Sequence, residues 1–249
     1  MVRLTDILTY TDDLLNIKNY EDYCPNGLQV QGRMEINTLV SGVTACRELV
    51  DRAVGVGADA ILVHHGYFWR GEDPRIVGMK YERLRRLIGA GIALIGYHLP
   101  LDGHPEFGNN VRLGAVLGLE IAGHFGRDDL ACFADLEKSV TSSEMAMRLE
   151  TTLERTPLHI SGADRPLKRI GWCTGAAQGF LADAAALRLD AFISGEISEP
   201  TVHIARELGI DYFAAGHHAT ERYGVQALGQ HLAKRFRIEH HFIEVPNPV

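Results

Sequence analysis

Histidine and carboxylate side chains recur in this chain where predicted buried strands end. In residues 58–67 an apolar run stops at His64 and His65, directly before Gly66. Successive side chains of a strand point to opposite faces, so both imidazoles reach one site only if the strand ends there. Gly66 permits such an end. Alternatively, each imidazole binds a different member of a metal pair.

Two further predicted strands run into the same residue types. One is followed by His98 and Asp102, and another by His217 and Glu221. Imidazole and carboxylate together suit Zn²⁺, Mn²⁺, Fe²⁺, Co²⁺ or Ni²⁺ better than Mg²⁺ or Ca²⁺. If a helix starts at His217, Glu221 shares its face, and a glutamate can bridge two metals about 3.5–4 Å apart. The predicted two-metal ligands are His64, His65, Asp102, His217 and Glu221.

Several of these residues also have plainer explanations. A lone histidine is more often a surface or hydrogen-bonded core residue than a ligand. Asp102 precedes Gly103, a pair common in turns. His98 suits three roles, namely a ligand, a residue that orients a ligand, and a proton carrier. His104 has the same three alternatives, with a weaker case for each. His218 suits either a residue that orients a ligand or a surface residue.

Two glutamates follow another predicted strand. Glu196 and Glu199 lie just after residues 190–194 and flank the start of a predicted helix. They suit either carboxylates at a helix N-terminus or acid–base groups that face the site. For a hydrolytic reaction, His98 and Glu196 are the candidates for proton transfer.

Composition argues against several classes of function. The 249 residues carry a net charge of −7, which offers no basic stretch for a nucleic-acid backbone. The four cysteines are scattered without a CxxC pair, as is typical of reduced cytosolic thiols. No segment has the ~18 apolar residues of a membrane span, and the N-terminus lacks a signal peptide, so we expect a cytoplasmic protein. P-loop, dinucleotide-binding and GxSxG motifs are absent.

The order of predicted elements favours an α/β fold that repeats. Strands are predicted at residues 28–30, 38–43, 92–97, 168–173, 190–194, 210–215 and 238–245, besides the strand that ends at His64 and His65. A capping-box pattern at residues 141–144 precedes a predicted helix. The pattern restarts after residue 125. We therefore expect two similar α/β lobes from an internal duplication, with a dinuclear metal site between them. Residues 1–125 carry His64, His65 and Asp102, and residues 126–249 carry His217 and Glu221.

Five motifs give the chain a family resemblance. It resembles the Nif-three-like dinuclear-metal proteins, also called GTP cyclohydrolase type-two homologues, and particularly their YbgI-like branch. The motifs are NGLQV at 26–30, HHGYFW at 64–69, HLPLD at 98–102, GEISE at 195–199 and GHHATE at 216–221. The resemblance implies two similar lobes, the five ligands predicted above with Glu221 bridging, and a ring-shaped homohexamer built as a trimer of dimers.

Two functions from different classes follow from these expectations, and a third, a ring that acts on nucleic acid, requires lysine or arginine along its central channel. The first is a two-metal hydrolase that acts on a small molecule, either a nucleotide-like compound or a phosphoester. The second is a hexameric metal-binding scaffold, metallochaperone or adaptor whose metals organise a partner site. Either protein would hold two divalent transition-metal ions per chain, of zinc, iron, manganese, cobalt or nickel.

Overall fold

The computed structural model describes all 249 residues, which divide into two compact units. Unit 1 comprises Met1–Phe107 and Gly224–Pro246, and unit 2 comprises Gly108–Tyr223 and Asn247–Val249. A strand near the C-terminus pairs inside the sheet of unit 1. None of the helices is both long and apolar enough to cross a membrane.

Helices and strands alternate along most of the chain, as expected of an α/β fold. The helices are α1 (Leu4–Leu14), α2 (Arg47–Gly55), α3 (Gly78–Ala90), α4 (Leu99–Asp102), α5 (Asn109–Val116), α6 (Ser142–Leu153), α7 (Leu181–Ala186), α8 (Glu199–Leu208) and α9 (His217–Phe236). The strands are β1 (Val2–Arg3), β2 (Gly27–Val30), β3 (Glu35–Ile36), β4 (Thr38–Thr44), β5 (Ala60–His65), β6 (Ala93–Gly96), β7 (Gly123–Phe125), β8 (Ala131–Val140), β9 (Leu158–Ile160), β10 (Leu167–Cys173), β11 (Ala191–Ser194), β12 (Asp211–Ala214) and β13 (Glu239–Phe242).

Unit 1 is built on a five-stranded sheet in the order β13-β4-β5-β6-β2. The first four of these strands are parallel, and β2 joins the edge antiparallel to β6. Both faces are covered. Leu39 and Leu62 pack with α1 and the later part of α9, whereas Val40 and Val63 pack with α2 and α3. Such double burial explains why these strands read as continuous apolar runs.

Unit 2 has a six-stranded sheet in the order β7-β8-β10-β11-β12-β9. Strands β10, β11 and β12 are parallel, while β8 and β9 are antiparallel to their neighbours. The fully buried Trp172 donates its indole N–H to the Asn110 carbonyl and packs against Gly114. The run β10-β11-β12-β9 has the same order and directions as β4-β5-β6-β2 of unit 1.

One aspartate directly before β5 and another directly before β11 anchor the two sheets. The carboxylate of Asp59, before β5, accepts the backbone N–H groups of Asn37 and Thr38 at 2.9 and 3.1 Å. Asp190, before β11, likewise accepts the two successive N–H groups of residues 168–169, at 2.9 and 2.8 Å. These bonds fix the starts of the strands whose opposite ends carry the histidines and Glu196.

Candidate metal centre

Three imidazoles of unit 1 meet at the carboxyl ends of two paired strands. His64 and His65 end β5, and His98 follows β6, which runs parallel to β5. Their ring centroids lie 4.5 Å apart for His64 and His65, 5.1 Å for His64 and His98, and 5.8 Å for His65 and His98. One ring nitrogen from each lies within 4.8 Å of the others. We call these residues the three-histidine cluster.

Hydrogen bonds at Nδ1 orient the two imidazoles of β5. The Nδ1–H of the fully buried His64 donates to the Tyr97 carbonyl at 2.9 Å. Because a carbonyl only accepts, this bond fixes the tautomer of His64 with its lone pair on Nε2. His65 Nδ1 lies 3.2 Å from the Thr44 hydroxyl. His64 therefore presents Nε2 as the nitrogen suited to a metal.

His98 is held by Asp22, a residue that the sequence analysis missed. Asp22 Oδ1 accepts the His98 Nδ1–H at 2.7 Å, and Oδ2 accepts the Leu99 backbone N–H at 2.9 Å. Burial raises the pKa of the Asp22 carboxyl, but bonds from His98, Asn26 and the Tyr23 backbone outweigh it and lower the pKa to about 2. Asp22 is therefore an ionised acceptor at neutral pH. It lies 76 residues before His98 in the chain, so no local spacing indicates the pair.

Asp102 joins the cluster from the end of the short helix α4. Its side chain is largely buried, and Oδ1 lies 3.4 Å from His64 Nε2. Helix α4 begins directly after His98, and the Asp102 backbone N–H donates to the His98 carbonyl at 3.1 Å. One turn of helix thus brings His98 and Asp102 to the same strand end.

His104 and Phe107 form a separate arrangement in unit 1. The His104 Nδ1 accepts the backbone N–H groups of Glu106 and Phe107 at 3.1 and 3.0 Å, and its ring stacks on Phe107. Burial lowers the pKa of His104. These bonds stabilise the loop after α4, so His104 has a structural role here.

In unit 2 a histidine–glutamate pair begins the long helix α9. His217 Nε2 lies 3.0 Å from Oε2 of the buried Glu221, one helical turn later. The His217 Nδ1–H donates to Glu196 Oε1 at 2.7 Å, from the end of the neighbouring strand β11. Burial lowers the pKa of His217, but Glu221 and Glu196 outweigh it and raise the pKa to about 9. The sequence placed all three residues at strand ends, and the structure brings them together.

Two glycines keep the space around this pair open. Gly175 has a φ of +66°, and a Cβ built on it would lie 2.1 Å from Glu221 Oε1 and 3.2 Å from His217 Nε2. A Cβ on Gly195 would lie 2.6 Å from the His217 Cα. Real Cβ atoms do not approach other atoms this closely, so the arrangement of His217 and Glu221 requires glycine at both positions.

Glu199 and His218 each have another partner. Glu199 pairs with His203 at 3.1 Å on helix α8, and its side chain is 81% exposed. The His218 backbone N–H donates to the Val249 carbonyl at 3.0 Å. Of the two glutamates after β11, it is therefore Glu196 that contacts a predicted ligand.

The donor set in each unit fits a divalent transition metal. Imidazole nitrogens with carboxylate oxygens are the ligands that zinc, iron, cobalt and nickel accept. Histidines that bind metals usually donate their second ring N–H to a carboxylate or a carbonyl. His64, His98 and His217 each do so in this structure.

Comparison with known proteins places the chain in a family. The model of the Duf34/NIF3 (NGG1p interacting factor 3) family matches residues 2–248. The chain belongs to the NIF3 family. Its relatives include a Pseudomonas aeruginosa protein, 50% identical over 99% of both chains, and an Escherichia coli K12 protein, 46% identical over 98% of both. Both are named GTP cyclohydrolase 1 type 2 homolog, so the resemblance seen in the sequence is confirmed.

Two solved structures share the fold of this chain. Protein ybgI, described as of unknown function, has a TM-score of 0.97 and 45% identity, covering 100% of both chains. A protein from Thermus thermophilus has a TM-score of 0.92 and 31% identity over the same coverage. The mixed α/β architecture of this NIF3-family chain is therefore confirmed.

Proposed function

We propose that this chain binds two divalent transition-metal ions and is a metal-dependent hydrolase of a small nucleotide-like or phosphoester molecule. The proposed ligands are His64, His65 and Asp102 from unit 1 and His217 and Glu221 from unit 2, with Glu221 bridging the metals. The shared name of its relatives supports a nucleotide-like substrate, because a cyclohydrolase opens a ring of such a molecule by adding water.

The Nδ1 bonds of His64 and His217 carry the metal proposal. His64 has no exposed surface, yet its Nδ1–H is committed to the Tyr97 carbonyl and its Nε2 lies beside the Asp102 carboxylate. His217 repeats the pattern, with Nδ1 on Glu196 and Nε2 beside Glu221. Burying a carboxylate costs free energy unless a positive charge balances it. Protonated His217 supplies that charge beside Glu221 without a metal, and a bound metal ion would supply it in the proposed centre.

When bound, a metal pair lowers the pKa of water toward neutrality and stabilises negative charge that develops on oxygen. The protein then has to supply a group that moves a proton. We assign this role to Glu196, whose side chain is 35% exposed and so accessible to a substrate. Its bond to His217 Nδ1 also keeps that imidazole oriented.

We also infer that the two units arose by duplication and that six chains assemble. The shared strand order and the matching bonds of Asp59 and Asp190 support the duplication. A homohexamer of 27.5 kDa chains, arranged as a trimer of dimers, has a mass of about 165 kDa. Light scattering on the purified protein tests this proposal, and a mass of one or two chains would contradict it.

Metal analysis combined with a hydrolysis screen tests the proposed function. Wild-type protein is loaded with Zn²⁺, Mn²⁺ or Co²⁺, and its metal content and turnover of nucleotides and phosphoesters are measured beside those of Glu221→Ala and Glu221→Gln. We expect about two ions per wild-type chain. In both variants we expect metal to be lost and turnover to fall by at least about 100-fold. His203→Asn is the control, since His203 forms an exposed pair with a glutamate at the same four-residue spacing.

The outcomes separate the two classes of function. Metal and turnover lost together support the hydrolase. Two bound metals without turnover of any substrate contradict it and favour the scaffold, metallochaperone or adaptor. Wild-type protein without metal, after loading, contradicts both.

A further inference from the structure

We propose that Tyr23 and Trp69 bind the planar ring of a heteroaromatic substrate, such as a nucleobase, beside the three-histidine cluster. We call these two residues the aromatic pair. The inference rests on the proposed function and deepens it. Of the two substrate classes named there, the aromatic pair favours the nucleotide-like one over a phosphoester without a ring.

Trp69 lies against two imidazoles of the three-histidine cluster. Its ring centroid is 6.0 Å from that of His65 and 5.0 Å from that of His98. The indole N–H donates to the Gly66 carbonyl at 3.2 Å, so the ring is folded back toward the end of β5. The indole is only half-buried there. A ligand ring stacked on it would therefore lie close to His65, a proposed metal ligand.

The turn that carries Trp69 is strained. Phe68 has a φ of +66°, and it is the only aromatic residue of the chain with a left-handed backbone. Bulky residues rarely adopt this conformation, which costs free energy and is concentrated at active sites and ligand clamps. Tyr67 is fixed, because its N–H donates to Gln29 Oε1 and its hydroxyl to the Ala45 carbonyl, both at 2.8 Å. The strained residue therefore reverses the chain after a fixed one and brings Trp69 back to the strand end.

Tyr23 places a second ring at the same imidazole. Its ring centroid lies 6.3 Å from that of His98, and the residue is 46% exposed. The Tyr23 carbonyl accepts the Arg70 backbone N–H at 2.7 Å, and the Arg70 guanidinium donates to the Asp22 carbonyl at 3.0 Å. These bonds join the loop of Tyr23 to the residue that follows Trp69, so both rings are held near His98.

The aromatic pair lies outside the core of the fold. Three aromatic residues follow Gly66, and the first two, Tyr67 and Phe68, pack with the apolar side chains of β5, α2 and α3. Trp69 and Tyr23 belong to none of the apolar clusters of either unit. Binding sites for small molecules are lined mainly by apolar and aromatic side chains with a few polar groups among them. Partly exposed rings beside imidazoles and carboxylates match that description.

Stacking selects for a flat ligand. Every nucleobase has a π-face, and stacking on aromatic side chains strengthens binding by about 10- to 100-fold per base. A phosphoester without a ring gains nothing from such a contact. The aromatic pair should therefore discriminate between substrates by the presence of a planar ring.

Binding of guanosine 5′-monophosphate and ribose 5-phosphate tests the proposal, because the second compound lacks the base. Affinities are measured by calorimetry on the full-length protein, both metal-free and loaded with Zn²⁺. We expect wild type to bind the nucleotide about 10- to 100-fold more tightly in both states. Trp69→Ala and Tyr23→Ala should each lose at least about 5-fold of the nucleotide affinity and keep the affinity for ribose 5-phosphate. Trp69→Phe, which retains a ring, should lose less than Trp69→Ala.

Fluorescence gives a second readout. The chain has two tryptophans, and Trp172 is fully buried in unit 2. The nucleotide should therefore quench the emission of Trp69 in wild type, ribose 5-phosphate should not, and the quenching should be lost in Trp69→Phe. Tyr81→Ala is the matched control, because Tyr81 is 48% exposed on α3. It should match wild type in both measurements.

Equal affinity of wild type for the two compounds would overturn the inference, and this comparison needs no variant to fold. Nucleotide affinity that survives both Trp69→Ala and Tyr23→Ala would also overturn it, as would an equal loss in Tyr81→Ala. Wild type that binds no metal but prefers the nucleotide through Trp69 supports the ring site and contradicts the hydrolase. Wild type that binds two metals and hydrolyses phosphoesters, with no preference for the nucleotide, contradicts this inference alone.

Discussion

At the scale of single residues, the hydrogen bond that Nδ1 makes determines which nitrogen of each histidine is available to a metal. His64, His98 and His217 all donate Nδ1–H to an oxygen that cannot donate in return. In the neutral form of each ring, the Nε2 lone pair is therefore fixed in direction. This pre-orientation lowers the entropy lost on binding, because the rings need no rearrangement.

Gly175 provides a sharp test of the space around Glu221. Alanine at this position would put a Cβ 2.1 Å from Glu221 Oε1, at a φ of +66°. We expect Gly175→Ala to cost about 1–2 kcal/mol of stability from backbone strain. The carboxylate should also be displaced, with a loss of metal affinity of at least about 10-fold. Urea unfolding and chelator competition measure the two effects.

Gly118→Ala is the matched control for this variant. Gly118 has a φ of +65°, but a Cβ there meets no atom within 4 Å. It should therefore lose similar stability while keeping wild-type metal affinity. If the two variants bind metal equally, Gly175 does not position the carboxylate of Glu221.

The sequence predicted the proposed ligands more readily than the residues that orient them. Ligands such as His64 and His217 directly follow apolar runs, so their place at strand ends was evident. Asp22 lies in a loop, and Tyr97 contributes only its backbone carbonyl to His64. Contacts between residues far apart in sequence, or through the backbone, depend on the folded topology and leave no local pattern.

At the scale of elements, buried aspartates secure the starts of the parallel strands. Asp211, at the start of β12, accepts bonds from the Ser142 hydroxyl, the Gly162 backbone N–H and His159. Burial raises the pKa of Asp211, but these bonds outweigh it, so the pKa lies below the ordinary 3.8. The ionised form is therefore the one that stabilises the fold.

Asp211→Asn should destabilise the protein in a way that depends on pH. A lowered pKa contributes stability that is complete above about 3.8 and is lost as pH falls toward the folded value. At pH 7 we expect a loss of about 1.5–3 kcal/mol, the worth of hydrogen bonds to a charged group. Below pH 3.8 the difference from wild type should shrink. Urea unfolding at pH 7, 5 and 3 measures it.

The exposed pair of Asp135 and Arg169 supplies the control for that series. Asp135 carries a carboxylate in an ion pair of 2.8 Å, with a side chain that is 52% exposed. Because exposed ion pairs contribute little, Asp135→Asn should change stability by less than about 1 kcal/mol. A loss in Asp211→Asn that is equally large at every pH would show that its charge is not what stabilises β12.

The sequence predicted the start of helix α6 but missed strand β8, and both outcomes have a physical reason. The capping box of α6 is present, with reciprocal bonds between Thr141 and Glu144. Strand β8 (Ala131–Val140) was missed. Its first half is mostly buried, whereas Glu137 and Lys138 in its second half are exposed, so neither a continuous apolar run nor a regular alternation marks it.

At the scale of the whole molecule, the mixed α/β fold followed from the sequence, but the sheet that the last strand joins did not. Strand β13 was predicted as the last strand, near the C-terminus of the second lobe. It pairs instead with β4 in the sheet of unit 1, with Glu239 opposite Thr38. Strand pairing between such distant parts of the chain is set by the packing of the completed sheet, which no local pattern records.

The proposed dinuclear centre draws ligands from both units, so it is a property of the whole chain. Anomalous X-ray scattering from crystals grown with Co²⁺ or Zn²⁺ tests it most directly, because the metals themselves are located. We predict two peaks per chain, about 3.5–4 Å apart. One should lie beside His64 and the other beside His217, with Glu221 between them. No peak, a single peak, or two peaks too far apart for one carboxylate to bridge would contradict a dinuclear centre.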